Sequence, residues 1–448
     1  MVALYRRQLS NKITDKIAKI LVAGKHYNYA KRDCESSLHF VLGKGSMLYD
    51  VDNNEYLDLY ARHGAMFLGH GNEEYCNALQ KAMFDPISDH SMYDDEVCQW
   101  FKKYVPSCER IRFGLSGTEM VLNALRLSRA YTGRRRIIRF NGHCHGTADN
   151  IMGGKAKTAL CPIVIEDEAS KFATKGRASG VLQDQMLLLP WNHIETFRKI
   201  VEAYGSDIAA VIMEPVMITG GSILPLSGYL SEVRDICDKY GIVLIFDEIN
   251  TGVHMGLGGA QLTTGVTPDL CLMGKAVSGG SVPVTALMGK AEIMDLYEQG
   301  SVVHGGTYNG YHLGMAAVAT TFRILSSKEH EVYKQLNQMQ EMLYKIFQEE
   351  AARCGMQIVI QGPPACSSFH CTDKDIMFYE DYDQHIQSKD MILSYCMECY
   401  GILVCKASKM YLNVTLNERD IYFFKEHLRP AMEMACTIIG RLKLGDNP

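Results

Sequence analysis

Long apolar runs are missing from the sequence. Across 448 residues, charged side chains interrupt the apolar ones. The opening stretch MVALYRRQLSNKITDKIAKILVAGKHYN has neither the apolar core of a signal peptide nor the length of a spanning helix. A strong charge of one sign is also missing: the formal net charge is -5, which gives no electrostatic reason to bind nucleic acid. We therefore expect a cytoplasmic protein that binds neither membranes nor nucleic acid.

Internal repeats, low-complexity segments and a paired cysteine framework are absent too. The 15 cysteines are an odd number and are scattered along the chain, which favours reduced thiols over disulfides. Cys396 and Cys399 form the one CxxC pair, without the second pair of a zinc finger. We therefore expect packed thiols at this pair and no metal site.

The middle of the chain alternates strand-like and helical patterns. IAAVIMEPV, from residue 208, and GIVLIFDEI, from residue 241, each predict a buried strand. Between them Leu230, Val233, Ile236 and Tyr240 recur at helical spacing. This β-α-β unit, followed by the strand-like PDLCLM, predicts an α/β fold with a mainly parallel central sheet. Ligands of such sheets bind beyond the carboxyl ends of the strands.

The two chain ends follow other patterns. SMLYDVDNNEYLDLY, residues 46–60, predicts a β-hairpin, and a charged amphipathic helix begins near Ser326. A chain of this length usually divides into two domains. We predict a large domain at 61–325 and a smaller α+β domain formed by 1–60 together with 326–448.

Residues Ser116 to Glu119 begin a helical pattern. Their Ser-x-x-Glu spacing is that of a capping box, in which the two side chains accept from free backbone N–H groups. The remaining N–H groups and the dipole of such a helix start also favour an anion such as a phosphate. From these residues alone, a plain helix cap and a phosphate site both stay open.

Asp247 and Lys275 each follow an apolar strand. The carboxylate of Asp247 could keep the ring nitrogen of a cofactor protonated, or it could cap a loop at the strand end. The amine of Lys275, which lies between glycine and small residues, suits a Schiff base with an aldehyde, or it is a solvated surface group. Because the carboxyl ends of parallel strands share one edge, we expect the two side chains to face one pocket.

Several long motifs occur in the order and spacing of one enzyme family. They are SGTEMVLNALRLSRAYTGRRRIIRFNGHCHG, EPVMITGGSILPLSGYLSEVRDICDKYGIVLIFDEINTG, GGAQLTTGVTPDLCLMGKAVSGGSVPVTALMGK and HGGTYNGYHLGMAAVAT, preceded by GKGSMLYDVDNNEYLDLYARHGAMFLGHG. They resemble class III aminotransferases, most of all the branch around glutamate-1-semialdehyde aminomutase. The resemblance implies fold type I, the cofactor pyridoxal 5'-phosphate, and a homodimer whose active sites lie at the subunit boundary.

The resemblance also implies a role for each motif residue. Lys275 matches the lysine of the Schiff base, Asp247 the partner of the ring nitrogen, and Ile249 the aliphatic residue on one ring face. The other matched positions surround the cofactor: Ser116, Gly117 and Thr118 in the phosphate loop, Thr307 reaching the phosphate from the neighbouring subunit, Glu214 as a pocket acid, and Cys144 with His145 beside the ring.

Cys144 departs from the family pattern. The family has an aromatic residue before the His-Gly pair, and it stacks on the cofactor ring; here Cys144 precedes His145 and Gly146. Losing a stacked ring costs about 1 kcal/mol of packing, which weakens cofactor binding without abolishing it. A small residue that makes room for a bulky substrate and a thiol that acts chemically are both open. His143, Cys144 and His145 also resemble a metal cluster, but adjacent strand residues point to opposite faces.

The residues that would bind a substrate carboxylate are the second departure. Many relatives use an arginine in the C-terminal part, yet KASKMYLNVTLNERD has none at the equivalent place, and Thr219 stands where its usual glutamate partner would be. The aminomutase branch uses an arginine near the N-terminus instead. Loose matches here are Lys31, Arg32 and Arg62, each also readable as a surface charge. His63 stands where that branch often has an aromatic substrate contact.

Three functions remain open from the sequence. The first is an aminotransferase that takes an amino group from a donor, expected to be L-glutamate, and passes it to a carbonyl acceptor. The incomplete carboxylate site suggests an acceptor without an acid, such as a sugar or aminoglycoside aldehyde or ketone. The second is an aminomutase that moves the amino group within one substrate. The third is a non-catalytic regulator with the same fold.

Because a small packed residue explains Cys144 without chemistry, Cys144→Ser should keep most of the turnover. Steady-state amino transfer by the purified variant measures this directly. A near-total loss of the transfer step would instead give the thiol a chemical role.

Overall fold

Fourteen strands organise the part of the chain that the structure describes. The computed structural model describes residues 4–26, 38–86, 88–152, 185–405 and 408–445. In chain order the strands are β1 (Phe40–Lys44), β2 (Met47–Asp50), β3 (Glu55–Leu59), β4 (Arg110–Gly114), β5 (Arg136–Phe140), β6 (Met186–Leu189), β7 (Ile208–Met213), β8 (Val243–Asp247), β9 (Leu270–Met273), β10 (Thr285–Gly289), β11 (Val359–Gln361), β12 (Cys366–His370), β13 (Ile402–Val404) and β14 (Lys409–Tyr411).

Long helices connect and cover these strands. Within the described ranges those of ten residues or more are Gln8–Ile17, Glu73–Ala82, Asp94–Tyr104, Gly117–Thr132, Ile194–Tyr204, Tyr229–Tyr240, His312–Ser327, Glu329–Arg353, Gln384–Cys399 and Glu418–Gly445. Shorter helical turns include Ala61–Gly64, Gly259–Thr264, Lys275–Ser278 and Ala291–Met294. None of the described helices is long and apolar enough to cross a membrane.

Seven of the described strands form the central sheet, in the order β4-β10-β9-β8-β7-β5-β6. The five strands from β9 to β6 pair in parallel, and β10 runs antiparallel to both of its neighbours. The predicted β-α-β unit is β7, the helix Tyr229–Tyr240 and β8. The mainly parallel sheet is therefore confirmed, and the carboxyl ends of β7, β8 and β9 lie side by side.

The central strands are buried on both faces. Along β8, Ile245 belongs to the core under the helix Gly117–Thr132, whereas Leu244 and Phe246 belong to the core under Tyr229–Tyr240. Successive strand side chains point to opposite faces, so a strand covered on both sides must be apolar throughout. This explains why VLIF precedes Asp247 without an interruption.

Two smaller sheets come from the chain ends. One has the order β1-β2-β3-β13, and the other has the order β11-β12-β14. The predicted hairpin at 46–60 is the antiparallel pair of β2 and β3. The helix expected near Ser326 begins at Glu329 and runs to Arg353, because Lys328 leaves the helical conformation and separates it from the preceding helix, which ends at Ser327. The division into domains at 61–325, 1–60 and 326–448 stays a prediction.

Candidate active site

The central pocket lies where β8 and β9 end. Asp247 is the last residue of β8, and Lys275 follows β9 by two residues. Lys275 has a φ of 49°, in the left-handed region that residues with a side chain rarely adopt. Such strain persists only where the surroundings hold it, and it is concentrated at functional sites.

The amine of Lys275 is surrounded by polar and acidic groups. Its Nζ donates to Oδ1 of Asn250. Burial lowers the pKa of Lys275, while the negative charges of Glu214 and Asp247 raise it and only partly offset the loss of water. Lys275 and Asp247 therefore share one environment, as the sequence predicts.

Asp247 forms a buried pair with His145. The Nδ1 of His145 donates to Oδ2 of Asp247 at 2.8 Å, and both side chains are almost fully enclosed. Oδ1 of the same carboxylate accepts from the backbone N–H of Ile249. Nε2 of His145 is buried and has no partner among the described residues. The pair thus fixes the direction of the carboxylate at the end of β8.

Glu214 lies beside this pair and organises the loops around it. Its carboxylate accepts from the backbone N–H groups of Cys144 at 3.0 Å and Thr219 at 3.1 Å. Burial, and then the charge of Asp247, raise the pKa of Glu214. Asn250 extends the contacts, because its Nδ2 donates to Glu214 at 3.4 Å and to Oγ1 of Thr219 at 3.5 Å.

The predicted phosphate loop is the start of the helix Gly117–Thr132. Oγ of Ser116 accepts from the N–H of Glu119, whose carboxylate accepts from Leu115, so the cap is present. The N–H groups of Gly117 and Thr118 have no place in the helical hydrogen-bond ladder and remain available to an anion. The helix start borders an open recess of about 540 Å³.

Ile249 packs directly against this loop. A Cβ added to Gly117 would lie 2.4 Å from Cδ1 of Ile249, so a larger residue would require the end of that side chain to shift. Gly274 lies on the other side, with its Cβ position 3.6 Å from Cγ1 of Ile249. The matched residues Gly117, Ile249 and Lys275 are therefore brought together by the fold.

His63 faces the same pocket from a strained turn. Ala61, Arg62 and His63 have φ values of 45°, 52° and 58°. Burial lowers the pKa of His63 to about 3, and the cations Lys275, Lys409 and Arg62 add to the effect. His63 is therefore neutral, and three positive charges lie around it. Arg62 itself is exposed.

The view of His143, Cys144 and His145 as neighbours on a strand was wrong. β5 ends at Phe140, and the glycines at 142 and 146 have φ values of 81° and 96°, which turn the chain into a loop. Both histidines are consequently buried, and Cys144 is exposed between them. Burial lowers the pKa of His143, whose Nδ1 accepts from the N–H of Glu214. Among the described residues no cluster of three or more metal-binding side chains occurs.

One predicted residue, Thr307, is not part of these contacts. Thr307 is exposed, in a segment whose residues 303–305 border the recess at the helix start. Lys31 and Arg32 lie outside the described residues, so their roles stay predictions.

Sequence reasoning missed Asn250, Lys409 and Tyr411. Oδ1 of Asn250 accepts from the hydroxyl of Tyr411 as well as from Lys275. Lys409 is half-buried, and its Nζ donates to the carbonyl oxygen of Thr219 at 3.2 Å. Asn250 follows the Asp-Glu-Ile triplet and could have been found from it. Lys409 lies in the segment where many relatives have an arginine, and a lysine there is a signal for the same positive charge.

Comparison with known proteins decides the family. The family described as "Aminotransferase class-III" matches residues 29–375. The chain belongs to this family. A protein named glutamate-1-semialdehyde 2,1-aminomutase from Natranaerobius thermophilus is 32% identical to this chain over 387 residues, which cover 85% of this chain and 87% of that protein. A protein of the same name from Thermodesulfovibrio yellowstonii is 37% identical over 327 residues, which cover 72% of this chain and 73% of that protein. The predicted family and branch are confirmed.

Solved structures give the same fold. An omega-transaminase from Sphaerobacter thermophilus has a TM-score of 0.86 at 25% identity, covering 95% of this chain and 97% of that one. A glutamate-1-semialdehyde aminomutase from Pseudomonas aeruginosa has a TM-score of 0.80 at 18% identity, with 95% of each chain covered, and this likeness is one of fold alone. This class-III aminotransferase is thus a fold-type-I enzyme that depends on pyridoxal phosphate, which excludes the non-catalytic hypothesis.

The residues present fit this cofactor. A lysine amine, a buried acid–imidazole pair and free N–H groups at a helix start are the chemical groups that an aldehyde, a pyridine nitrogen and a phosphate require. Gly117 also lets Ile249 approach this helix start closely, since a Cβ at position 117 would displace the end of the Ile249 side chain.

Because burial lowers the pKa of Lys275, its amine should lose its proton at a lower pH than an exposed lysine does. Acylation of the cofactor-free protein with acetic anhydride, followed by mass spectrometry at several pH values, compares Lys275 with the exposed Lys239. The reactivity of Lys275 should reach its plateau first as the pH rises. Coincident titration of both lysines would contradict the effect of burial.

Proposed function

We propose that this enzyme is an aminotransferase that takes the amino group of an acidic donor, L-glutamate, and passes it to a carbonyl acceptor. Pyridoxal phosphate, when bound, supplies a ring that accepts the electron pair left at the substrate carbon. The observation that carries the proposal is a cation, Lys409, in the same pocket as the buried amine of Lys275.

Lys275 and Asp247 take the central roles. Burial favours the neutral amine of Lys275, and this amine would hold the cofactor and move a proton to and from the substrate carbon. Asp247, held by His145 at 2.8 Å, would keep the ring nitrogen protonated. We propose that Ser116, Gly117 and Thr118 bind the phosphate and that Ile249 contacts one ring face.

Lys409 is the proposed partner of the substrate carboxylate. Its Nζ has a carbonyl oxygen as its partner and no acidic side chain within 4.0 Å among the described residues. A half-buried cation without a counter-ion is stabilised when a carboxylate arrives. Thr219, which stands where relatives have a glutamate, offers its backbone carbonyl and leaves the positive charge of Lys409 available.

The same site bears on which carbonyl compound is the acceptor. The sequence predicts a sugar or aminoglycoside carbonyl because the C-terminal segment has no arginine at the place where many relatives have one. Because Lys409 supplies a cation there that can bind a carboxylate, oxo acids should be tested as acceptors beside these aldehydes and ketones. We keep the carbonyl acceptor without an acid as the second half of the proposal, since the exposed Cys144 leaves space where the family has an aromatic ring.

An aminomutase is the second hypothesis. Relatives that are 32% and 37% identical carry the name glutamate-1-semialdehyde 2,1-aminomutase. Both reactions need the same lysine, acid and phosphate loop, so these groups do not separate them. The substrate that converts the bound cofactor separates them.

We also propose a homodimer with shared active sites. Val303 and Tyr308, which flank the exposed Thr307, are exposed apolar side chains near the recess at the helix start. Such side chains gain free energy when a second copy covers them. Thr307 would then reach the phosphate of the other subunit.

Excess L-glutamate should bleach the visible absorbance of the purified, cofactor-loaded enzyme and release one equivalent of 2-oxoglutarate per site. Adding carbonyl compounds to the bleached enzyme then identifies the acceptor by the return of the absorbance. An enzyme that responds to glutamate-1-semialdehyde and ignores L-glutamate would favour the aminomutase.

Lys409→Gln should raise the KM for L-glutamate by about tenfold or more, because a charge-assisted hydrogen bond contributes roughly 1.5–3 kcal/mol. kcat should change little, since the lost contact is made equally before and during the reaction. Lys409→Arg should keep the KM close to that of the unchanged enzyme. Lys239→Gln removes the same charge at the opposite edge of the sheet and serves as the control. Equal rises in the KM for L-glutamate in both variants would refute the assignment of Lys409 as the partner of the substrate carboxylate.

A further inference from the structure

A tight turn follows β7 and reaches the active site. Met217 and Ile223 pair across it as an isolated antiparallel bridge. At its tip Gly221 has a φ of 114° and the buried Ser222 a φ of 56°. A non-glycine residue in this region is strained and keeps its conformation only when its surroundings impose it.

The three-stranded sheet β11-β12-β14 holds this turn. The carbonyl oxygen of Gly221 accepts from Gln361 of β11 at 3.1 Å and from Nε2 of His370 in β12 at 2.9 Å. Oγ of Ser222 lies 2.8 Å from Oγ of Ser368, also in β12. Lys409 of β14 donates to Thr219 in the same turn. Each of the three strands therefore contributes a hydrogen bond to the turn.

His370 is the most enclosed of these contacts. Its Nδ1 lies 2.9 Å from Oδ2 of Asp390, and neither side chain is exposed. The ring is thus held between a carboxylate at Nδ1 and a carbonyl oxygen at Nε2. Oδ1 of Asp390 also accepts from the N–H of Cys371 at 2.7 Å. The direction of the ring is therefore fixed from behind.

This turn also fixes the positions of active-site groups. The N–H of Thr219 donates to Glu214, its hydroxyl accepts from Asn250, and its carbonyl accepts from Lys409. Displacing the turn would move the carbonyl that anchors Lys409 and remove a donor from Glu214. No atom of His370 needs to touch the substrate for this effect.

We propose that the buried His370–Asp390 pair is a positioning device for the substrate-carboxylate site. It holds the carbonyl of Gly221, so that the strained turn presents Thr219 to Lys409. The inference rests on the proposed function for its consequence, carboxylate binding. Its structural part, the anchoring of Lys409, is independent of any substrate.

The test removes the pair together, as His370→Phe with Asp390→Leu, so that no single charge stays buried. Lys409 should become several-fold more reactive to acetic anhydride in the cofactor-free protein, relative to Lys239. In the loaded enzyme the Kd of glutarate and the KM of L-glutamate should each rise by about tenfold, while kcat changes by less than about threefold. Ser222→Ala removes another contact of the same turn without burying a charge, and it should shift all three values in the same direction by about threefold.

Phe369→Leu is the matched control. Phe369 precedes His370 on β12, points to the other face and packs on Phe347, with ring centroids 5.2 Å apart. It should lower the Tm and leave the reactivity of Lys409 and the Kd of glutarate unchanged. Unchanged reactivity of Lys409 in both test variants, or an equal rise in the control, would overturn the positioning role. A freed Lys409 in an enzyme that never binds glutarate would uphold the positioning and refute the carboxylate site.

Discussion

The active site depends on an amine that is withdrawn from water without losing its polar partners. Desolvation disfavours the charged form of Lys275, and the nearby Glu214 and Asp247 favour it. The two effects oppose each other, so the amine is neither a permanent cation nor an isolated neutral group. Asn250 accepts one of its hydrogens and links it to Glu214. A group that binds an aldehyde and moves protons needs both of its protonation states, and these opposing effects act on the one amine proposed for that role.

Backbone strain marks the same region. Lys275, His63 and Ser222 all have positive φ values, and all three lie on connections that reach the pocket. Each such residue costs roughly 1–3 kcal/mol, which the packed sheets around it must offset. The buried strands β7, β8 and β9 supply a rigid base, because their side chains pack on both faces. The strain is therefore stored in the connections and opposed by the sheet.

The sequence predicted those parts of the site that lie on continuous segments. Apolar runs ending in Asp247 and before Lys275 predicted two strand ends, and parallel pairing brought them together. Lys409 was not predicted, because its closeness to Thr219 depends on how β14 packs against a turn that is 190 residues earlier in the chain. The loop at Cys144 was misread for a related reason: two glycines with positive φ end the strand, and composition alone does not fix φ.

The division of labour between segments follows from this geometry. Apart from Thr307, the groups proposed to contact the cofactor come from the ends of central-sheet strands and from one helix start, whereas His63 and Lys409 come from outside that sheet. The residues from outside the central sheet are linked to the cofactor groups by few hydrogen bonds, chiefly those of Thr219 and Asn250. If His63 and Lys409 contact the substrate as proposed, a change of substrate requires changes mainly in the turn at 61–64 and the sheet β11-β12-β14. The lysine and its acid can stay as they are, because their partners lie within the central sheet and its connections.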